Sequence, residues 1–215
     1  MIKSFLNFIG NPKQYSFTNF IILLILLLFI QSSIMSLHII TSESMEDTLL
    51  VGDVVLVVKT WYGFKPPLFQ KPITPGFRIK HDDIVICAFP GDPTKEFVKR
   101  CVANGGDTLG IRAKQLIVNG NFISLPKTGK HADPELLQKI DGKRDFYPAC
   151  FVPKDSLFVL GDNRDFSFDS RSWGFLPKKN LRGKVTYLLW SLDPNVSWTN
   201  ITHKFRSGRF FKEVK

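Results

Sequence analysis

The hydrophobic positions of this chain fall into one long uncharged block followed by a series of short ones. Glu43 is the first acidic or basic residue after Lys13, His38 aside, and the block is densest over Phe20-Ile21-Ile22-Leu23-Leu24-Ile25-Leu26-Leu27-Leu28-Phe29-Ile30. A helix needs roughly 20 apolar residues to cross a bilayer core. Residues 17–38 are therefore read as a transmembrane anchor, with Gln31, Ser32 and Ser33 weakening its outer end so that the helix finishes near residue 36. A cleaved signal peptide is the competing reading, but the apolar part is longer than such a segment normally carries and no Ala-x-Ala site follows it.

Beyond the block, short apolar runs bounded by turn residues predict strands at 52–59, 83–90, 96–102, 157–160 and 184–190. Residues 116–123 read as a hairpin, with Asn119-Gly120 as its type I′ turn. One helix is predicted, with Asp133 as N-cap, Pro134 in the first turn and its body over 135–140. Two stretches interrupt the strands. Residues 61–77 are rich in aromatics and prolines, which suits either packing on the domain or the membrane interface. Residues 126–148 are polar and lysine-rich, and read as a solvated loop. The part beyond the anchor is thus mainly β with few short helices.

Composition sharpens this only in places. The 215 residues carry 13 Pro and 15 Gly, which favours a turn-rich β protein over a helix bundle. Lys3 and Lys13 precede the anchor without an acid, placing residues 1–16 on the cytoplasmic side and 39–215 outside. The net charge of +10 suits nucleic acid, anionic lipid or an acidic partner without choosing among them. The basic, phenylalanine-bearing C-terminal segment, from His203 to Lys215, raises the same options; outside a membrane, headgroups or plain solvation replace nucleic acid. Cys87, Cys101 and Cys150 lack zinc-ligand spacing; a Cys87–Cys101 disulfide and buried free thiols both remain open.

The chemistry lies in three separated segments. Thr41-Ser42-Glu43-Ser44-Met45 follows the anchor directly. In residues 96–102, alternation puts Phe97, Lys99 and Cys101 on one strand face and Val98, Arg100 and Val102 on the other. A lysine between an aromatic ring and a thiol would be partly desolvated, with a lowered pKa; a snorkelling surface lysine is the competing reading of Lys99 taken alone. The third segment, Gly161-Asp162-Asn163-Arg164-Asp165-Phe166-Ser167-Phe168-Asp169-Ser170-Arg171, crowds acids and bases between an apolar run and Trp173-Gly174-Phe175. Buried charges need partners, so the segment predicts a satisfied ionic network. A serine needs a base to become a nucleophile. None of the four histidines sits in a triad-like motif, and a neutral lysine can serve instead.

Ser42-Glu43-Ser44-Met45, Gly52-Asp53-Val54-Val55, Val98-Lys99-Arg100 and the 161–171 segment resemble the successive signature boxes of bacterial type I signal peptidases. The boxes stand in the family order over about residues 18–191. The resemblance implies a signal-peptidase-type antiparallel β-sheet catalytic domain behind one N-terminal transmembrane helix. It implies a Ser-Lys dyad serine protease with Ser44 as nucleophile and Lys99 as general base. The Ser44 N–H and the Ser42 hydroxyl would form the oxyanion hole, and Ser167 would hydrogen-bond the Lys99 amine. Asp162, Arg164, Asp169 and Arg171 would be structural supports, while Ile40, Met45, Leu49 and Val98 would line the substrate pockets. The implied substrates are exported preproteins, cut after a small-x-small motif such as Ala-x-Ala, at the outer face of the bacterial inner membrane near the secretion translocon. Membrane lipids are implied as further partners, nucleic acid is not, and neither metal nor cofactor is required.

The sequence departs from the family pattern at Asp47 and Gly105, where proline is usual, and at Phe166, where asparagine is usual. Glu46 and Asp47 are expected to point away from the site, since acids facing it would raise the lysine pKa. Three other readings compete with this one. A self-cleaving Ser-Lys repressor would need a DNA-binding helical domain in place of the anchor. A specialised pilin- or conjugation-precursor peptidase would share the chemistry. A catalytically inactive membrane-anchored binding protein would have no need of Ser44, Lys99 and Ser167 together.

Overall fold

The computed structural model describes residues 17–66, 69, 72–135 and 144–214. It begins with helix α1 (Phe17–Ser33), which is apolar on all sides, its leucines, isoleucines and phenylalanines turned outward. The expected anchor runs to residue 38, but the helix stops at Ser33 and strand β1 (Met35–Ile39) follows at once. The reason is local. Lys59 Nζ donates to the Gln31 and Ser32 carbonyls at 2.9 and 3.2 Å, and the Lys59 N–H donates to Ile34 O. The last helical carbonyls are thereby satisfied and the chain is handed to a sheet edge. At about 1.5 Å per residue these 17 residues reach about 25 Å. Among the described residues no helix is long and apolar enough to cross a membrane.

The remainder is antiparallel β structure. The further strands are β2 (Asp53–Val58), β3 (Ile84–Phe89), β4 (Asp92–Asn104), β5 (Thr108–Arg112), β6 (Gln115–Val118), β7 (Asn121–Ile123), β8 (Tyr147–Phe151), β9 (Ser156–Leu160), β10 (Leu176–Pro177), β11 (Leu181–Ser191) and β12 (Lys212–Glu213). The larger sheet runs β1-β2-β11-β3-β4-β9-β10, with β12 also on β11; the smaller runs β7-β6-β5-β8. Short helices α2 (Ser170–Trp173) and α3 (Ile201–Lys204) complete it. Alternation assigns the faces. Ile84 and Ile86 join a cluster with Val55, Val57 and Val185, while Val85 and Cys87 join another with Leu157 and Val159. Strand β3 therefore reads as an unbroken apolar run because it is buried on both faces. Phe158 and Leu160 enter a third cluster that ties the large sheet to Leu109, Leu116 and Val118 of the small one.

Asn119 and Gly120 both have positive φ, 52° and 81°, as the predicted type I′ hairpin requires. All three cysteines are free, and Cys87 and Cys101 are buried in one cluster. Among the described residues of the 61–77 insert, Trp61 meets Phe77, Phe64 meets Phe29 of α1, and Tyr62 Oη donates to Asp83 at 3.1 Å. The 126–148 excursion is not simply solvated. Lys130 bridges to Asn163, and Asp133 N–H donates to Asp165 at 2.8 Å. Of the helix predicted after Asp133, residues 136–140 lie outside the described residues.

The basic C-terminal segment also departs from a solvated end. Arg209 forks onto Asp53, with Nε 3.1 Å from Oδ1 and the second nitrogen 2.5 Å from Oδ2. Arg206 donates to Val51 O and Ser191 Oγ. Asp53 is 0% exposed, and the Arg209 guanidinium and the Leu50 N–H are its partners. Removing one partner of a buried pair costs about 3 kcal/mol or more. Arg209→Ala is therefore expected to lower the unfolding free energy by about 3 kcal/mol in urea titrations; an unchanged midpoint would refute the latch.

Candidate active site

Ser44 sits in a single 3-10 turn, Glu43–Met45, between β1 and β2. It is 7% exposed, and Met45 beside it anchors the turn in the first core cluster. Lys99 lies 55 residues further on, in β4, and is 2% exposed. Its Nζ donates to Ser44 Oγ at 2.6 Å and lies 5.6 Å from the Phe97 ring centroid. Ser42 Oγ is 3.3 Å from Ser44 Oγ. Burial pushes the Lys99 amine down to about 8; the Asp169 carboxylate opposes this and the Arg171 guanidinium adds to it. At pH 7 roughly one molecule in ten then carries the neutral amine.

The 161–171 segment frames this pair. Asn163 N–H donates to Ser44 O at 3.1 Å, and Asn163 Nδ2 donates to Glu43 O and Glu46 Oε2, each at 3.2 Å. A methyl group added at Gly161 would lie 2.2 Å from Ser167 Oγ and 2.4 Å from Ser44 O, so only glycine lets the segment approach so closely. Asp169 caps α2 through the Arg171 N–H, accepts from Gly161 N–H at 3.1 Å, and holds the Arg171 guanidinium at 2.9 and 2.7 Å. Ser170 Oγ accepts from Val159 N–H at 3.0 Å. Asp165 is held low against burial by the Asp133 N–H, His131 and Lys114.

Several expected positions differ from this arrangement. Asp162, expected as a structural support, takes its guanidinium from Arg100, at 2.8 and 2.7 Å. The same Asp162 accepts from Thr48 Oγ1 at 2.6 Å. Arg164 is buried with Nε unpartnered among the described residues, and burial lowers its pKa to about 10 despite the Asp162 charge. Ser167 Oγ, expected on the Lys99 amine, is buried near Gly161 and makes no hydrogen bond among the described residues. Ile40, Met45 and Leu49 are fully packed in the first cluster instead of lining an open pocket; of the four expected pocket residues only Val98 is partly exposed.

Glu46 and Asp47 pair with Lys130 at 2.9 and 3.0 Å. Asp47 has φ 72°, a left-handed turn that proline, fixed near −65°, cannot adopt. Arg100, Asn163 and Lys130 are the residues that sequence reasoning passed over. Arg100 and Asn163 sat inside segments already singled out, but nothing in the linear order told which acid or loop each would meet.

The model of the family described as signal peptidase, peptidase S26, matches residues 14–190. Signal peptidase I of Aquifex aeolicus is 29% identical, with 79% of this chain and 81% of that protein covered. Signal peptidase I of Buchnera aphidicola (subspecies Baizongia pistaciae) is 32% identical, with 86% of this chain and 79% of the relative covered. A solved signal peptidase I from Enterococcus faecalis is 25% identical, at a TM-score of 0.41, over 51% of this chain and 98% of that one. With its sequence matched over most of its length, the chain belongs to the signal peptidase, peptidase S26, family.

Proposed function

We propose that this protein removes signal peptides from exported preproteins with Ser44 and Lys99 as its catalytic dyad. Peptide-bond hydrolysis and the signal-peptide substrate follow from its family. The dyad assignment rests on one observation, the buried 2.6 Å contact between Lys99 Nζ and Ser44 Oγ. Once neutral, the amine accepts the hydroxyl proton along that line as Oγ attacks the scissile carbonyl carbon. The Ser44 N–H and Ser42 hydroxyl donate to the developing oxyanion. The protonated amine then passes its proton to the leaving amine, and the neutral lysine activates water to release the acyl group from Ser44. Ile40, Met45 and Leu49 fill the first core cluster, with Met45 in the same turn as Ser44, which supports a requirement for small substrate side chains.

Strand β1 is an edge of the large sheet, and its chain leads directly to Ser42 and Ser44. An extended substrate adding to that edge would pass its main chain beside the nucleophile. The segment 17–38, with α1 as its helical part, is the single membrane anchor in this reading, residues 1–16 are cytoplasmic, and 39–215 form the catalytic domain on the outer face of the bacterial inner membrane. The all-round apolar surface of α1 supports this. The nucleophile then works close to the bilayer surface, where signal peptides emerge.

The dyad is costly to the fold. An unfolded lysine keeps its proton to about pH 10.5, whereas buried Lys99 releases it near 8. Below pH 8 both states are protonated and the native state bears the full penalty, about 3 kcal/mol. Between pH 8 and 10.5 the unfolded chain holds more protons, so this group makes stability rise with pH.

Three outcomes follow. In detergent, with a preprotein bearing Ala-x-Ala, Ser44→Ala and Lys99→Ala should each abolish release of the signal peptide while near-native circular dichroism persists; full activity in either contradicts the dyad. The wild-type rate should fall about tenfold per pH unit below 8, as the neutral amine is titrated away; a flat acid limb refutes a lysine base. Lys99→Met should be more stable by about 2 kcal/mol at pH 7 and should lose the rise between pH 8 and 10 in urea unfolding.

A further inference from the structure

A cavity of about 380 Å³ opens where α1 ends, between the helix terminus, the 61–77 insert and the turn at Lys178–Asn180. Five cationic side chains line it, Lys59, Lys65, Lys178, Lys179 and Arg182, and no acid does. Such a one-signed concavity focuses positive potential. Two of the five are occupied: Lys59 caps the helical carbonyls and Arg182 reaches Glu96 at 3.3 Å. Lys178 donates only to a carbonyl, that of Lys154, at 2.9 Å. Among the described residues no carboxylate pairs with Lys65, Lys178 or Lys179. The cavity therefore holds positive charge that no carboxylate among the described residues neutralises.

Its surroundings are apolar. The insert is fastened to α1 by the edge-on contact of Phe64 with Phe29, their centroids 6.3 Å apart. Phe69, Ile73 and Phe77 of the insert are exposed, as are Met35, Leu37 and Ile39 on the strand that continues α1. Exposed apolar side chains with lysines beside a membrane helix end are the composition of a bilayer interface. The helix C-terminus would by itself repel an anion. Lys59 stands on those carbonyls and offsets that field.

We propose that this cavity binds the phosphate of an anionic phospholipid headgroup, seating the catalytic domain on the bilayer. The inference rests on reading α1 as part of the membrane anchor. Lys65 and Lys179 are the main phosphate contacts, with Lys178 beside them, and the acyl chains lie along α1 and the exposed phenylalanines. None of these residues belongs to the Ser44–Lys99 site.

The full chain in nonionic detergent is titrated with dihexanoylphosphatidylglycerol below its micellar concentration, and the amide shifts of Lys59, Gly63 and Leu181 are followed by NMR. Saturable shifts are expected with this lipid, and much weaker ones with dihexanoylphosphatidylcholine and with inorganic phosphate. Lys65→Ala and Lys179→Ala should each weaken binding about fivefold, Lys179→Arg should retain it, and all three should cleave a short soluble peptide at the wild-type rate. Equal response to the two lipids, or to free phosphate and phosphatidylglycerol, would overturn the headgroup assignment. Carbonate extraction of membranes reads the anchor separately. Release of the chain would remove the anchor and this site with it, whereas retention without preference for phosphatidylglycerol would remove the site alone.

Discussion

A lysine that is 2% exposed, with its amine 2.6 Å from a serine hydroxyl, has to be held there by something other than its own preference for water. Burial is what brings the Lys99 amine down to about 8, and burial is also what the rest of the fold must sustain against a charged alternative. Strand β4 holds the amine from below, through its pairing with β3 on one side and β9 on the other. The 161–171 segment closes over it, fastened at both ends by ion pairs. Arg100–Asp162 ties the segment to β4, and Arg171–Asp169 ties it to itself. The charges of this segment thus set the position of the Lys99–Ser44 contact.

The same logic accounts for the acids at 46 and 47. Two carboxylates just beyond the Ser44 turn would favour the protonated amine of Lys99 if they faced it. They are instead turned onto Lys130, and Asn163 holds Glu46 from the other side. The excursion that looked like a solvated loop therefore bears on the chemistry. It brings a cation to the acids, and the Lys130 main chain continues the contact by bonding Asp162 O and Arg164 N–H.

Much of the sheet was legible because period-two alternation and turn chemistry are local. The 116–123 hairpin was readable from Asn119-Gly120 alone, and β3 from its apolar run. What depended on pairing across the chain was not. Asp162 has arginines at 100 and 164 available, and only the register of β4 against β9, Arg100 facing Leu160, decides for Arg100. The end of α1 was misjudged because the signal for it, Lys59, stands 27 residues beyond Ser32. Ser44 and Lys99 were found through a family pattern of motifs; neither residue's own surroundings in sequence distinguish it from an ordinary surface serine or lysine. Ile40, Met45 and Leu49 read as apolar in sequence, and in the structure all three are packed in the first core cluster.

The central claim is that burial against Ser44 makes Lys99 a base near neutral pH. The most direct test is a titration of the Lys99 side chain by NMR, following its ¹³Cε shift in the full chain from pH 6 to 11. A midpoint near 8 is the result this account predicts. A midpoint near 10.5, the value of a lysine in water, would contradict it.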